Sequence, residues 1–482
     1  MTAKCVMVLG TTSGAGKSWL TTALCRWYAR QGLKVAPFKA QNMSNNARVV
    51  AQGEIGSAQY FQALAARAQP EVRMNPLLLK PERDTHSQVV LMGQVDEALS
   101  RMPWRGRSAS VWPVVARALD GLRAENDVLV IEGAGSPAEI NLHDSDIVNM
   151  RVALHAQARC LLVTDIDRGG AFAHLYGTWA LLPEAERVLI KGFVLNKFRG
   201  DAALLAPAPQ QLQELTRIPT VATLPMWWQH GLPEEDGVFA DRSVAAGVVS
   251  QTIAVVAYPR ISNLDEFQPL KNVPGVRLVW ARGPTDVAGA DWIILPGSKH
   301  TSGDLAWLRA QGLDRAIAAH AAQGRAVLGI CGGLQMLGEA LIDPHGIDGN
   351  GPGLGLLPLV TVFDAVKTVQ RKSASFGSLC GPWSALSGVA MQGYEIHHGQ
   401  TAQHPAMAAG GDVAQAVMPD ALAWQNAAGN VLGLYLHGLF EDPAALHALF
   451  GAAAPTLDSV FDGLADYIER HFEPGVLRSL VA

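Results

Sequence analysis

The chain has 482 residues, of which 49% are hydrophobic, and a formal net charge of -5 at pH 7. This length predicts two domains, each large enough to bury a core. No stretch approaches the ~18 uninterrupted apolar residues of a membrane helix, and no lysine- or arginine-rich block indicates a nucleic-acid surface.

The cysteines give no sign of a disulfide framework or a zinc site. They lie at positions 5, 25, 160, 331 and 380, without a Cys-x-x-Cys pair, and such scattered thiols suit a reducing compartment. The short apolar run at the N-terminus is wrongly flanked for a secretory signal. We therefore expect a cytoplasmic protein with small-molecule partners, without nucleic acid or membrane among them.

A glycine-rich loop follows the first apolar run. Residues 4 to 9 lead into Gly-Thr-Thr-Ser-Gly-Ala-Gly-Lys-Ser at 10 to 18, which opens a helix. Backbone amides of such a loop cradle phosphate, the lysine meets the β/γ charge, and the serine can take Mg²⁺. The alternative is a glycine-rich turn without a ligand. The predicted nucleotide-binding residues are Thr12, Ser13, Gly14, Ala15, Gly16, Lys17 and Ser18.

This loop departs from the strict pattern at Thr11, where glycine is usual. In this form it resembles the loop of the dethiobiotin synthetase group, whose members phosphorylate a carboxylate. The resemblance implies ATP-dependent carboxylate activation.

A second strand, at 33 to 37, leads into a polar loop that contains a lysine and four amide side chains. Such groups suit a substrate that carries carboxylates and amides, although a solvated turn is the alternative. Related diamide synthetases carry Asp-x-x-Asp here, and because Asn46 stands at the second position we assign no metal to the loop. The predicted substrate residues are Lys39, Gln41, Asn42, Asn45 and Asn46. Further on, residues 101 to 112 carry proline and arginine and are expected to form a loop.

Several strands of a parallel sheet can be placed by their apolar runs. The run at 127 to 131 ends in Glu132, at the sheet edge where open α/β sheets bind ligands. Glu132 and Ser18 are therefore the predicted Mg²⁺ ligands, unless Glu132 only caps the next turn. Strands at 160 to 164, 188 to 195 and 221 to 224 alternate with helices, which predicts helices on both faces. Polar groups that follow them could serve the nucleotide, the acceptor or the structure: Asp167, Arg168, Asn196 and Lys197.

The strongest pattern of the second half is a nucleophile elbow. An apolar strand at 326 to 330 delivers Cys331 into a glycine pair, and a helical pattern follows. Glycines at 329 and 333 leave room where the strand and the helix nearly touch. The alternative is a buried cysteine in an ordinary turn. The segment Gly-Ile-Cys-Gly-Gly-Leu-Gln, 329 to 335, resembles the nucleophile motif of class I glutamine amidotransferases.

This resemblance implies further site residues. One oxyanion-hole amide would come from the Pro-Gly turn, at Gly297 or Ser298, with Gly297 preferred, and the other from Gly332. His437, at the end of the strand 431 to 436, is the predicted base, and His397-His398 is the competitor that more plausibly borders a glutamine pocket. The family's usual His-x-Glu is absent, since Leu stands at 439 and Glu441 lies two positions further on. We therefore predict a Cys331–His437 dyad, with the third member left open.

The predicted fold class is α/β, with two doubly wound domains. A P-loop synthetase domain is predicted for 1–235, a linker for 236–250 and a flavodoxin-like class I amidotransferase domain for 251–450. A C-terminal helical extension, 451–482, is expected to pack on the amidotransferase domain.

The motifs at 10–18, 132–142, 258–267 and 435–441 together resemble the cobyric acid synthase family over nearly the whole chain. The resemblance implies that ATP with Mg²⁺ and L-glutamine serve to amidate the b, d, e and g carboxylates of a corrinoid, adenosylcobyrinic acid a,c-diamide. The product would be adenosylcobyric acid, on the way to cobalamin. The alternatives are an a,c-diamide synthase, another carboxylate-amidating ligase, or a P-loop switch that binds a protein partner and carries an inactive second domain.

Overall fold

The chain forms two compact units. The computed structural model describes residues 2–83, 86–228, 230–233, 248–451 and 456–482. Of the predicted linker 236–250, residues 236–247 lie outside the described residues. One unit contains Met1–Ser44, Val50–Leu232 and Leu457–Ala482, and the other contains Asn45–Val49 and Pro233–Thr456. Each unit is described by itself below.

Up to residue 233 the strands are β1 Lys4–Gly10, β2 Val35–Phe38, β3 Gln41–Met43, β4 Ala47–Val50, β5 Gly53–Gly56, β6 Leu77–Arg83, β7 His86–Leu91, β8 Gln94–Val95, β9 Val128–Glu132, β10 Arg159–Asp165, β11 Ile190–Phe198 and β12 Thr220–Pro225. The α-helices of this part are α1 Lys17–Arg30, α2 Ser57–Ala65, α3 Glu97–Arg101, α4 Trp104–Glu125, α5 Met150–Ala156, α6 Ala171–Leu181, α7 Glu184–Arg187 and α8 Ala208–Thr216.

The first unit is built on a parallel sheet of order β12-β11-β10-β1-β9-β2. Alternate residues of β1 enter different apolar clusters: Met7 and Leu9 belong to one, and Val6 and Val8 to the other. Both faces of the sheet are therefore covered, as the apolar runs predict. Since the strands are parallel, the residues that follow β1, β9, β10 and β11 meet at one edge.

Beyond residue 247 the strands are β13 Gln251–Val256, β14 Ile261–Ser262, β15 Val276–Ala281, β16 Trp292–Leu295, β17 Gly297–Ser298, β18 Ala326–Ile330, β19 Ala340–Ile342, β20 Gly351–Pro352, β21 Leu359–Ser375, β22 Ala390–Gln403, β23 Gln415–Ala416, β24 Ala423–Gln425 and β25 Val431–Leu434. The α-helices are α9 Gln268–Lys271, α10 Pro284–Val287, α11 Thr301–Ala310, α12 Leu313–Ala322, α13 Gly332–Leu337, α14 Pro405–Ala409, α15 Pro443–Phe450, α16 Leu457–His471 and α17 Val476–Ser479.

The second unit has a sheet of order β15-β13-β16-β18-β25-β24-β23. Its first five strands pair in parallel, and β24 and β23 are antiparallel. β18 and β25 are neighbours in register, with Gly329 opposite Gly433. Their carboxyl ends therefore place the residues that follow them, including Cys331 and His437, at the same edge.

The C-terminal helices α16 and α17 belong to the first unit. Phe461, Leu464 and Ile468 of α16 are buried in the same apolar cluster as Leu20 and Leu24 of α1. The buried Arg26 of α1 also pairs with two aspartates of α16, at 2.6 Å from Asp458 and 2.8 Å from Asp462. The tail follows the second unit in sequence, but its apolar stripe is buried in the first unit, not in the domain that precedes it.

The predicted loop at 101–112 is largely helical, which corrects that expectation. α4 begins at Trp104, directly after Pro103, and a proline is tolerated at the start of a helix because no hydrogen bond is lost there. Val111, Val115 and Leu119 bury one face of it. None of the described helices is long and apolar enough to cross a membrane.

Candidate active sites

The glycine-rich loop of the first unit curls around the amino group of Lys17. Lys17 Nζ donates hydrogen bonds to the carbonyl oxygens of Thr12 and Gly135, each at 3.0 Å. Gly16 has a φ of 100°, and a Cβ placed on it would lie 2.1 Å from Asn196 Nδ2. Only glycine fits this position, so the loop holds the compact shape that backbone binding of phosphate requires.

Thr11, the departure from the strict loop pattern, has a local role. Its hydroxyl donates to Thr164 Oγ1 at 2.9 Å, and both side chains are buried. The bond ties the start of the loop to β10.

Polar groups at the carboxyl ends of β10 and β11 hold the outside of the loop. Asn196 Nδ2 donates to Ala15 O at 2.9 Å, and Lys197 Nζ donates to Gly14 O at 2.8 Å. Lys197 also pairs with Asp165 at 3.1 Å. Asn196 and Lys197, which the sequence left open between nucleotide and structural roles, thus support the loop.

Glu132 lies at the end of β9, beside the first residues of α1. Its Oε1 accepts from Ser18 Oγ and from Lys39 Nζ, each at 2.8 Å, and its Oε2 accepts from Gln62 Nε2. Complete burial opposes ionisation of this carboxyl, but Lys39, Gln62 and Ser18 together hold its pKa below its usual range. Glu132 is therefore a buried carboxylate that stays anionic.

This arrangement fits a magnesium ion that arrives with nucleotide phosphates. Ser18 and Glu132 offer two hard oxygen ligands side by side, and Mg²⁺ commonly takes only one or two protein ligands beside phosphate and water. Among the described residues no group of three or more His, Cys, Asp or Glu forms a protein-only metal cage. Lys39 shares the same carboxylate oxygen, so it occupies the position that the metal would approach.

The predicted substrate residues are divided between the two units. Lys39 pairs with Glu132, while Gln41 and Asn42 lie in β3, which pairs with β6. Asn45 and Asn46 belong to the second unit. There Asn46 Oδ1 accepts a hydrogen bond from Leu264 N at 3.1 Å.

Cys331 forms the nucleophile elbow of the second unit. It stands between β18 and α13 with a φ of 52° and a ψ of -106°, a strained conformation for a residue other than glycine. A Cβ on Gly333 would lie 1.9 Å from Leu295 O, which explains why that position is glycine. The Cys331 thiol is buried and its Sγ donates to Ile396 O at 3.7 Å.

His437 is held by a carboxylate from another part of the unit. Its Nδ1 lies 3.0 Å from Oε1 of Glu266, whose Oε2 accepts from the Gly438 amide at 3.0 Å. Burial would lower the pKa of His437, but the charges of Glu266 and Cys331 and their hydrogen bonds raise it to about 10. His437 therefore stands beside Cys331 as an imidazolium, where it can transfer a proton during attack by the sulfur.

Glu266 occupies the position expected of the third member that the sequence left open. It lies in the short helical turn Leu264–Phe267, within the segment 258–267 that carries part of the family resemblance. Glu441, the shifted acid of the family pattern, instead pairs with Arg48 at 2.7 Å. The competitor His397 has both ring nitrogens engaged, at 2.8 Å from Gly399 O and 3.0 Å from Glu395.

The register of β14 and β17 bears on the oxyanion hole. Ile261 stands opposite Ser298 and Ser262 opposite Gly297, and the next pair is joined by a bond from Lys299 N to Arg260 O. Hydrogen-bonded and non-bonded pairs alternate along an antiparallel ladder. The amide of Gly297 therefore points at its strand partner, and the amide of Ser298 points away from it. A Cβ on Gly332 would lie 2.8 Å from Ser298 N, so this geometry favours Ser298 over Gly297.

Each of the two units matches the model of a known protein family. Residues 6–231 match the family model of the CobQ/CobB/MinD/ParA nucleotide binding domain, and residues 252–445 match that of the CobB/CobQ-like glutamine amidotransferase domain. The chain thus joins a nucleotide-binding domain to a glutamine amidotransferase domain, which confirms the predicted α/β fold class.

Full-length relatives define the family. The chain is 82% identical over 485 residues to a cobyric acid synthase of Polaromonas naphthalenivorans, and the match covers 100% of both chains. It is 81% identical over 482 residues to that of Variovorax paradoxus, again over 100% of both chains. For that of Polaromonas sp. the identity is 78% over 501 residues, covering 100% of this chain and 99% of the relative. The chain belongs to the cobyric acid synthase family, as its motifs predict.

Proposed function

We propose that this protein uses ATP to activate peripheral carboxylates of a corrinoid and converts them to amides with nitrogen from glutamine. It is a glutamine-hydrolysing, ATP-dependent amide ligase of cobalamin biosynthesis. The acceptor is adenosylcobyrinic acid a,c-diamide, the reacting groups are its b, d, e and g carboxylates, and the product is adenosylcobyric acid. One observation carries the proposal: a chain of this family holds Cys331, His437 and Glu266 together in one unit and a phosphate loop with Glu132 in the other.

The second unit supplies ammonia. Cys331 Sγ attacks the carboxamide carbon of glutamine, and the C–N bond breaks as His437 gives a proton to the departing ammonia. Water then attacks the thioester carbon and passes a proton back to His437, the C–S bond breaks to free the Cys331 sulfur, and glutamate leaves. The Gly332 amide and an amide of the 297–298 turn face the developing oxyanion. Glu266 keeps His437 oriented in both steps and stabilises the imidazolium that is present before the first proton transfer and again after the second.

The first unit uses this ammonia. The γ-phosphoryl group of ATP passes to a carboxylate oxygen, which gives an acyl phosphate and ADP, and Lys17 offsets the charge on the transferred group. Ammonia then attacks the acyl carbon, the C–O bond to phosphate breaks, and the amide loses a proton. Ser18 and Glu132 would hold Mg²⁺, which neutralises phosphate charge when bound.

The thiols fit a reducing compartment. All five cysteines, which lie within the described residues, are free, and four of them are buried. Free thiols persist in the cytoplasm, where disulfides are rare, so we place the enzyme there. The strained elbow and the paired His437 also oppose the alternative of an inactive second domain.

The test is a product analysis by mass spectrometry. The full-length protein is given the corrinoid a,c-diamide, ATP, Mg²⁺ and glutamine, and we expect stepwise conversion of carboxylates to carboxamides with one glutamate and one phosphate per amide. A parallel reaction is given the unamidated corrinoid, and amidation confined to its a and c carboxylates would assign the chain to the a,c-diamide synthase alternative. Absence of any ATP-dependent amidation would overturn the proposal.

A further inference from the structure

A short segment from the N-terminal half of the sequence is part of the second unit. Asn45–Val49 belongs to that unit, although Ser44 and Val50 on either side belong to the first. Its contacts fall on the turn Leu264–Phe267, which carries Glu266. Asn46 Oδ1 accepts from Leu264 N at 3.1 Å, and Ala47 N donates to Asn263 Oδ1 at 3.3 Å. The segment therefore braces the backbone that presents Glu266 to His437.

Arg48 makes the strongest contacts of this segment. Its side chain is 2% exposed, it pairs with the buried Asp265, and it donates to Glu441 Oε2 at 2.7 Å. Its guanidinium also lies 5.2 Å from the ring centroid of Tyr394. Arg371 Nε, from β21, donates to Val49 O at 3.1 Å and fixes the segment from the other side.

Two partners of Arg48, Asp265 and Tyr394, are one step from His437. Asp265 precedes Glu266 in the same turn. The Tyr394 ring stacks on the imidazole of His437, with centroids 5.3 Å apart, and the backbones of the two residues form a bridge. A change at Arg48 would thus reach the imidazole along two routes, through the turn and through the stacked ring.

Arg48 also lies among three neighbouring carboxyl groups, those of Asp265, Glu266 and Glu441. Burial raises the pKa of Glu441, Arg48 lowers it, and the neighbouring Asp265 and Glu266 raise it again. Carboxylates packed this closely repel one another or take up protons unless a cation lies between them. The guanidinium therefore places a cation against both Asp265 and Glu441, beside the turn that carries Glu266.

From these contacts we infer that Arg48 is a positioning residue of the glutamine-hydrolysing site, which holds the Glu266 turn and the Tyr394 ring so that His437 stays aligned with Cys331. The inference rests on the proposed function of the second unit. It means that a residue outside the 252–445 amidotransferase match completes that site. The segment follows β3 in the sequence but belongs to the second unit.

The test compares three full-length variants in glutamine hydrolysis. Arg48→Met removes the guanidinium. Arg48→Lys keeps a positive charge but not the fork that reaches two carboxylates. Arg26→Met is the matched control, because Arg26 is also fully buried and also pairs with two aspartates, but in the first unit. Circular dichroism and a thermal unfolding curve establish that each protein is folded at the assay temperature.

We expect Arg48→Met to lower kcat for glutamine hydrolysis about 10- to 100-fold, as lost support of an active-site ligand commonly does. KM should change little, because Asp265, Glu441 and Tyr394, the partners of Arg48 described above, are not the histidines predicted to border the glutamine pocket. Arg48→Lys should recover part of kcat, and Arg26→Met should leave it unchanged. Amide synthesis fed with ammonium should stay near the parent rate in Arg48→Met.

The pH profile separates positioning from simple loss of packing. A displaced Glu266 would support the imidazolium less, so the alkaline limb of kcat/KM should move to lower pH in Arg48→Met and only partly so in Arg48→Lys. These variants leave unchanged the other titratable side chains that surround His437, Glu266 and Cys331. They are Cys331 after β18, Tyr258 after β13, Asp265 and Glu266 in the turn, Tyr394 in β22 and Glu441 after β25.

Three results would overturn the inference. One is an unchanged kcat and alkaline limb in folded Arg48→Met. A second is an equal loss in Arg26→Met, which would mark a general effect on stability. The third is an equal loss of ammonium-fed synthesis in Arg48→Met, which would place Arg48 in the acceptor site. If the parent protein itself forms no glutamate from glutamine, the proposed function fails instead.

Discussion

Glu266 Oε1 lies 3.0 Å from His437 Nδ1, although the two residues are 171 positions apart. Because Nδ1 is engaged by the carboxylate, Nε2 is the ring nitrogen left for Cys331. The pair therefore decides both the orientation of the imidazole and its charge, as an orienting acid does for other nucleophile and base pairs.

Replacing Glu266 should change the pH dependence of glutamine hydrolysis. Glu266 and Cys331 outweigh burial and raise the pKa of His437 to about 10, so the imidazolium persists until about that pH. Glu266→Gln removes one of the two charges, and the pKa of His437 should fall toward its ordinary value of about 6.5. The alkaline limb of kcat/KM should then move to lower pH, measured from about pH 6 to 11 with an assay for glutamate.

Glu395→Gln is a matched control for this measurement. Glu395 is buried and lies 3.0 Å from Nε2 of His397, so the change also removes a carboxylate from a buried histidine of the same unit. Its alkaline limb should stay in place. A limb that moves in neither variant would show that Glu266 does not set the charge of His437.

Replacing the predicted nucleophile, Cys331, should abolish glutamine-dependent amidation and leave ammonium-dependent amidation intact. A serine hydroxyl at 331 ionises far less readily than a thiol, so Cys331→Ser should lose glutamine-dependent amidation by at least about three orders of magnitude. Amidation with high ammonium at mildly alkaline pH should persist near the parent rate. Cys380→Ser, which changes an exposed cysteine of the same unit, should keep both activities. Failure of the ammonium-fed reaction in folded Cys331→Ser would give the elbow a role beyond ammonia supply.

Changes at the phosphate loop should abolish amidation but spare glutamine hydrolysis, in contrast to changes at Cys331. Lys17→Ala removes the cation that faces the transferred phosphoryl group, and Glu132→Gln weakens the predicted metal ligand, so either change should abolish amidation with glutamine or ammonium. Glutamine hydrolysis should remain measurable. Lys191→Ala, at an exposed lysine of the same unit, serves as the control. Full synthesis by Lys17→Ala would contradict the role of this loop.

Labelled oxygen can identify the activated acceptor. With ¹⁸O in the acceptor carboxylates, an acyl phosphate would carry one labelled oxygen into inorganic phosphate for each amide formed. Mass spectrometry of the released phosphate and of the nucleotides detects it. Label in AMP would mean adenylation, and phosphoryl transfer at the Lys17 loop would then be the wrong chemistry.

Local patterns explain what the sequence could predict. The phosphate loop, Glu132 and Cys331 each follow an apolar strand directly, and the turn residues after a strand are fixed by chain geometry over a few positions. His437 follows from the same reasoning, since β25 ends just before it. These predictions need only the strand and its immediate neighbours.

Contacts between distant segments explain what it could not predict. Glu266 reaches His437 only because a turn after β14 packs beside the end of β25, and no spacing in the sequence encodes that distance. The sequence assigns Lys39 to a substrate loop because it lies among amide side chains. In the structure it forms an ion pair with the buried Glu132. The pairing register of β14 and β17 cannot be deduced from the sequence either. The sequence therefore could not decide whether Gly297 or Ser298 supplies the oxyanion-hole amide.

The chain passes between its two units at 44/45, 49/50, 232/233 and 456/457. An end-to-end gene fusion of a synthetase with an amidotransferase would need only one such passage. Here the C-terminal helix α16 buries its apolar stripe in the first unit, and Asn45–Val49 is buried in the second. Two separately expressed halves, divided near residue 233, would each lack a piece of their own core, and complementation between them would have to restore both exchanges at once.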